Sequence, residues 1–192
     1  VWDQVRARYG LGHEDYMPAE QALQSLEPGR YLVLWQPRAE SFPISGSFDI
    51  WREPGVPAEL GADYAGCIES SLAAVYCHSR AFAPEKREAL YITGGAAGSP
   101  GITRRIAALW NRPVIRLEKM GAALGAAVAG IAAMRKAAGN TVDIEAVVST
   151  IVKKGKEVLP LPADVAAFHE PGGYLERFTA AEAELFLRYP LP

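Results

Sequence analysis

The sequence predicts an α/β domain with a right-handed parallel crossover, and three stretches carry that reading. Leu90 to Thr93 is a short run rich in β-branched and aromatic residues, the composition of a buried strand. Gly94 and Gly95 follow at once, and past Ser99 and Pro100 the residues Ile102, Ile106, Leu109 and Trp110 recur at helical spacing. Pro113 to Leu117 reads as a second strand and Gly121 to Met134 as a helix of small residues. Strand, glycine turn, helix, strand, helix is a βαβ pattern, which calls for parallel strands.

The remaining elements follow in order. Pro18 precedes a helical stretch through Leu26, ended by Pro28-Gly29, and Tyr31 to Trp35 reads as a strand. Gln36 to Pro57 is rich in Pro, Gly and Ser, with Phe42, Phe48 and Trp51 interspersed; aromatics in such a segment are usually pinned to a core. Pro57 to Phe82 is the longest helix candidate, with Leu60, Tyr64, Cys67, Ile68, Leu72 and Val75 on one face. Glu69 lies close to that face, partly buried, as a solvated or hydrogen-bonded carboxylate. Asn140 to Lys153 reads as an amphipathic helix, closed by Lys153-Lys154-Gly155-Lys156 as basic last turn and glycine cap. Tyr174 to Tyr189 is a final helix, wrapping back on the domain.

A chain of 192 residues suits one domain, residues 1–192, with a proper core. A net charge of −2 and a pI near 6.0 give no electrostatic case for a nucleic-acid partner. The most apolar run, Gly121 to Met134, is too short to span a bilayer and is bounded by Lys119 and Arg135, so no membrane partner is expected. Val1 to Arg6 is charged and amphipathic rather than a leader, and the expected location is cytoplasmic. Cys67 and Cys77 fall ten residues apart on one helix, about 15 Å at 1.5 Å per residue, beyond disulfide reach. With His13, His78 and His169 scattered, no metal-ligand spacing exists.

The candidate site is the glycine turn: Gly94, Gly95, Ala96 and Ser99. Without a Cβ, glycine takes positive φ and lets another group approach the main chain. The helix that follows offers N–H groups and the positive end of its dipole, a favourable place for phosphate. A tight strand-to-helix turn with no ligand has the same sequence. The stretch lacks the lysine of GxxxxGK[ST] and does not match GxGxxG.

The segment ITGGAAGSPGITRRIAALWNRPV followed by EKMGAALGAAVAG resembles the C-terminal domain of the FGGY carbohydrate kinases. Gly94, Gly95 and Ser99 occupy that family's GG-x-x-x-S/N motif, Arg112-Pro113-Val114 its middle strand, and Glu118 with Ala123-Leu124-Gly125-Ala126-Ala127 its acidic residue and A-L-G-A-A. Ala108-Leu109-Trp110 departs from it, since many members carry an acidic residue there. The close match covers about a quarter of the chain.

The resemblance implies a ribonuclease-H/actin-like ATPase fold, a mixed sheet flanked by helices. It implies ATP as phosphoryl donor with Mg2+, and a sugar as acceptor, a xylulose-like pentulose on overall likeness. It puts the catalytic aspartate and most sugar contacts in a preceding half absent from this chain, so no catalytic residue is expected here. A homodimer is left open. Val1, at what looks like mid-helix, fits a piece of something longer. Two other classes stay open: an actin- or chaperone-like ATP-binding switch, and a dinucleotide-binding domain with Glu118 as the ribose acid, against which the glycine spacing speaks.

Overall fold

The computed structural model describes residues 1–41, 44–81, 88–118 and 122–191. Phe42, Phe82, Lys119 and Gly121, named above, lie outside the described residues. The chain runs α1 (Trp2–Arg8), α2 (Tyr16–Ser25), β1 (Val33–Gln36), β2 (Glu40–Ser41), β3 (Ile44–Ser45), β4 (Phe48–Arg52) and α3 (Leu60–Ser79). Then come β5 (Leu90–Ile92), a 3-10 turn (Gly95–Gly98), α4 (Pro100–Trp110), β6 (Val114–Glu118), α5 (Ala122–Ala137), α6 (Ile144–Ile151), β7 (Lys153–Val158), α7 (Pro162–His169) and α8 (Tyr174–Arg188).

Helix α3 is the spine. Every residue from Ala62 to Ser70 is buried, so this half of the helix has neighbours all round rather than one apolar stripe. Tyr64, Cys67 and Ile68 join Val5, Leu23, Val33 and Ile102 in one core. Ala73 joins Leu34, Phe48, Leu109, Phe168, Tyr174 and Phe178 in a second. Strand β1 presses on α3 so closely that a Cβ at Gly66 would come within 2.6 Å of the Val33 side chain. The one carboxylate deep in this stretch that faces the hairpin is neutralised there. Asp63 accepts from Arg52 Nε and Nη2, each at 2.6 Å, and from Tyr9 Oη at 2.7 Å.

Strands β1 and β4 form an antiparallel hairpin, with Val33 opposite Arg52 and Leu34 opposite Trp51. Phe48 is buried and Trp51 packs against the core, as expected of aromatics in a Pro/Gly-rich segment. The other sheet has the order β5-β6-β7. β5 and β6 are parallel, Tyr91 opposite Ile115 and Ile92 opposite Arg116, which is the expected crossover. β7 returns antiparallel to β6, making the sheet mixed.

Several expectations are corrected. The sequence reading puts the Tyr31–Trp35 strand in one sheet with the two parallel strands and packs the helices from Leu60, Ile102 and Gly121 on it. Strand β1 instead pairs with β4 in a sheet of its own. Helix α3 packs on β1, α1, α2 and α4; α4 lies on β6 and β7; and α5 packs chiefly against α6. A run hydrophobic on all sides marks burial without naming the partner. Tyr91, expected inside a buried strand, is 53% exposed. It lies in the row of Ile115 and Glu157, on the face opposite the Leu90–Val114–Val158 row.

Lys153 to Lys156 do not end a helix. Asp143 Oδ1 caps α6 by accepting from the Ala146 N–H at 3.1 Å, and the helix stops at Ile151. Val152 turns extended (φ −86°, ψ 117°), and the lysines enter β7, where Lys153 stands opposite Glu118. Helix α2 begins at Tyr16, which puts Pro18 within its first turn, where the missing N–H costs nothing.

Candidate nucleotide site

The site grows from the end of β5. Gly94 takes φ 85°, ψ −167°, a conformation close to glycine-only, and swings the chain off the strand. Gly95 to Gly98 make one 3-10 turn, tied by Ala97 N–H to Gly94 O and anchored by the buried Ala97 side chain. Of the two glycines, only Gly94 has a positive φ. A Cβ at Gly94, Gly95 or Gly98 would meet nothing within 4 Å, so the turn faces open space rather than packed protein.

Ser99 starts α4. Its Oγ accepts the Ile102 N–H at 3.0 Å and so caps the helix, and Pro100 follows at the first helical position. Glu20, which sequence reasoning did not single out, reaches across from α2. Its Oε2 accepts the Ser99 hydroxyl at 2.5 Å and its Oε1 the Gly101 N–H at 2.9 Å. Helices α2 and α4 meet so closely here that a Cβ at Gly101 would lie 2.8 Å from Leu23. The N-terminus of α4, read from the sequence as a place for phosphate, therefore already holds an internal carboxylate.

Between the turn and helices α1 and α2 lies a cavity of about 540 Å3. Gly95, Ala96, Gly98, Ser99 and Glu20 form one wall, and Trp2, Tyr16, Met17, Tyr64 and Ile102 supply apolar and aromatic surface. Gly94 sets the turn but is not among the lining residues. Arg6, 1% exposed, also borders the cavity. Its Nη2 donates to Asp3 Oδ1 at 2.8 Å and to His13 O at 3.1 Å, and its Cζ lies 3.9 Å over the Tyr16 ring. The α1 and α2 wall carries no sequence motif, and its aromatics Trp2 and Tyr16 are not read from the sequence as part of a site. Among the described residues no group of three or more His, Cys, Asp or Glu could hold a metal ion.

This fold, in which the parallel pair of a mixed sheet opens through a glycine turn onto a helix, is shared with solved structures of sugar kinases. A ligand-bound xylulose kinase from Lactobacillus acidophilus superposes with a TM-score of 0.69 at 18% identity, over 97% of this chain and 38% of that one. A gluconate kinase from the same organism gives 0.67 at 18% identity, over 93% and 35%, and a xylulose kinase from Rhodospirillum rubrum 0.65 at 19%, over 91% and 35%. The chain thus spans little more than a third of the length of the structures it matches. No protein-family model matches the sequence, and no curated protein matches it.

Proposed function

We propose that this chain is the nucleotide-binding C-terminal half of an FGGY-type carbohydrate kinase, which transfers the γ-phosphoryl group of ATP to a sugar hydroxyl. The observation that carries the reading is the Gly95–Gly98 turn, open to space, forming a wall of a cavity of about 540 Å3. That volume is of the usual size for a small-molecule site, and its mix of aromatic surface with a few fixed polar groups suits a nucleoside. Gly95, Ala96 and Ser99 bound the nucleoside, and Gly94 holds the turn in place. With Glu20 on the α4 N-terminus, the phosphates lie elsewhere than on that helix end.

Phosphoryl transfer is mainly positioning and charge stabilisation, with a base for the acceptor hydroxyl. The chain's share is to bind and orient the nucleoside; the base and the sugar contacts come from a preceding domain. The resemblance implies Mg2+ to neutralise phosphate charge, but the described residues supply no cluster for it, and no metal-holding residue is assigned here. The acceptor is proposed as a pentulose of the xylulose kind and the location as the cytoplasm, with neither nucleic acid nor membrane as partner.

The test is kinetic, on the full-length protein. Gly95→Val puts a branched side chain into the cavity without backbone strain, since Gly95 lacks a positive φ. Its expected effect is a rise of about tenfold or more in KM for ATP, at least 1.4 kcal/mol, with KM for sugar unchanged. Ser99→Ala acts in the same sense by about 1 kcal/mol. Equal effects on both substrates, or none, would overturn the assignment. Nucleotide binding without sugar phosphorylation would mark a switch domain, and NAD outcompeting ATP a dinucleotide site.

A further inference from the structure

We infer that Glu20 is a positioning residue that locks the Ser99 hydroxyl as a hydrogen-bond acceptor, so that the nucleoside must present an N–H or O–H donor to it. This rests on the nucleotide reading above and adds to it a rule of selectivity.

The argument is a count of protons and lone pairs. A serine hydroxyl has one hydrogen to give and two lone pairs to receive. An ionised carboxylate has no hydrogen, so the hydrogen shared by Ser99 Oγ and Glu20 Oε2 is the serine's. One lone pair of Oγ is taken by the Ile102 N–H at 3.0 Å. What Ser99 has left is a single acceptor position, and Ser99 borders the cavity. The lock is braced, because Glu20 Oε1 is held by the Gly101 N–H at 2.9 Å and the carboxylate cannot swing away without abandoning that amide. It is also electrostatically suited to its place, since a carboxylate at the start of α4 opposes the positive end of the helix dipole. Glu20 belongs to a different helix from the turn it orients, and its other recorded side-chain partner is Gln24 Nε2 at 2.7 Å.

Two groups of ATP can supply the donor: the exocyclic amine of adenine and the hydroxyls of ribose. A 6-keto purine offers a carbonyl oxygen where adenine has its amine, and that oxygen facing the free lone pair of Ser99 makes no bond. Failing to pair one site in this way usually costs more than the bond itself is worth.

The experiment measures Kd by calorimetry on the full-length protein for ATP, ITP, 2′-deoxy-ATP and 3′-deoxy-ATP, with wild type, Glu20→Gln and Ser99→Ala. In wild type, ATP is expected to bind about five- to tenfold more tightly than the analogue lacking the relevant donor. ITP identifies the base amine, and a deoxynucleotide identifies a ribose hydroxyl. In Glu20→Gln the amide oxygen can keep the Gly101 N–H while its NH2 turns to Ser99, releasing the serine hydrogen towards the cavity. The analogue ratio then falls towards one. Ser99→Ala removes the partner and abolishes the ratio independently, which keeps the test decisive if Glu20→Gln does not fold. Three analogues binding wild type as well as ATP, or a ratio that survives both substitutions, would overturn the inference while leaving nucleotide binding intact. Absence of ATP binding to wild type would overturn the underlying reading as well. A purely structural role for Glu20 would lower all affinities together and leave their ratio alone.

Discussion

Arg105 Nε donates to Glu69 Oε1 at 2.6 Å, and both side chains are sealed from solvent, at 0% and 1% exposure. The guanidinium also donates to the carbonyls of Leu23, Leu26 and Gly101, and the carboxylate accepts the Gly29 N–H at 3.1 Å. One ion pair thus ties the end of α2 and the Gly29 turn to both α3 and α4. Burial pushes the Glu69 carboxyl up, to about 7, and Arg105 pulls the other way. Arg105→Met is therefore expected to destabilise the chain by about 3–5 kcal/mol at pH 8, by removing the partner of a buried carboxylate, which must then take up a proton or stay uncompensated. Glu69→Leu placed on top of it should recover part of that loss. Urea unfolding of both variants measures it; a single-variant loss below about 1 kcal/mol would show that water relieves the charge.

Gly94 and Gly95 separate folding from binding. With φ at 85°, Gly94→Ala is expected to cost about 1–3 kcal/mol in strain although its Cβ meets no neighbour. Gly95→Ala has no such penalty and should leave the melting temperature within a degree or two. Equal losses at the two positions would mean that the turn is strained throughout.

Gly125 lies exposed on α5, and a Cβ there meets nothing within 4 Å. The small residues of this helix are therefore not matched by a close neighbour at Gly125, and a larger side chain there is not overpacked. Gly125→Ala is expected to stabilise by up to about 1 kcal/mol through helix propensity alone. A fall in thermal midpoint on that change would reveal a neighbour that the exposed surface does not show.

Cys67 is buried, and desolvation pushes its thiol up to about 12. At pH 8 the thiol is therefore held in its protonated, unreactive form. Iodoacetamide should label the half-buried Cys77 first, and Cys67 only on unfolding. Since the folded thiol holds its proton more tightly than the unfolded one, its contribution to stability is complete below about pH 9. It is lost as pH rises towards about 12. Rapid labelling of Cys67 in the native chain would contradict its burial.

What could be read in the sequence was what is local. Leu90 to Leu117 alternates strand, turn, helix and strand within thirty residues, and each piece declares itself by β-branching, paired glycines or 3.6 periodicity. The rest depended on partners far away in the chain. Lys153 to Lys156 look like a solvated helix end until β6 offers them a ladder. Glu20 and Ser99 are separated by 79 residues, and nothing in either neighbourhood announces the other. Arg105 did leave a trace. It falls on the stripe of Ile102 and Leu109, three and four residues away, so a charge on that line had to be buried and paired.

Helix α5 runs from Ala122 to Ala137 with Ile131 and Met134 exposed, Val128 buried and α6 as its chief neighbour. A sixteen-residue helix rich in alanine, with few contacts among the described residues, is near the limit of what propensity sustains. Its amides should exchange with deuterium by local opening, on a schedule set by the helix itself, while those of α3 wait for the whole core to come apart. The chain then has two clocks. A melting curve dominated by α3 would report the slower one and pass over the first event altogether.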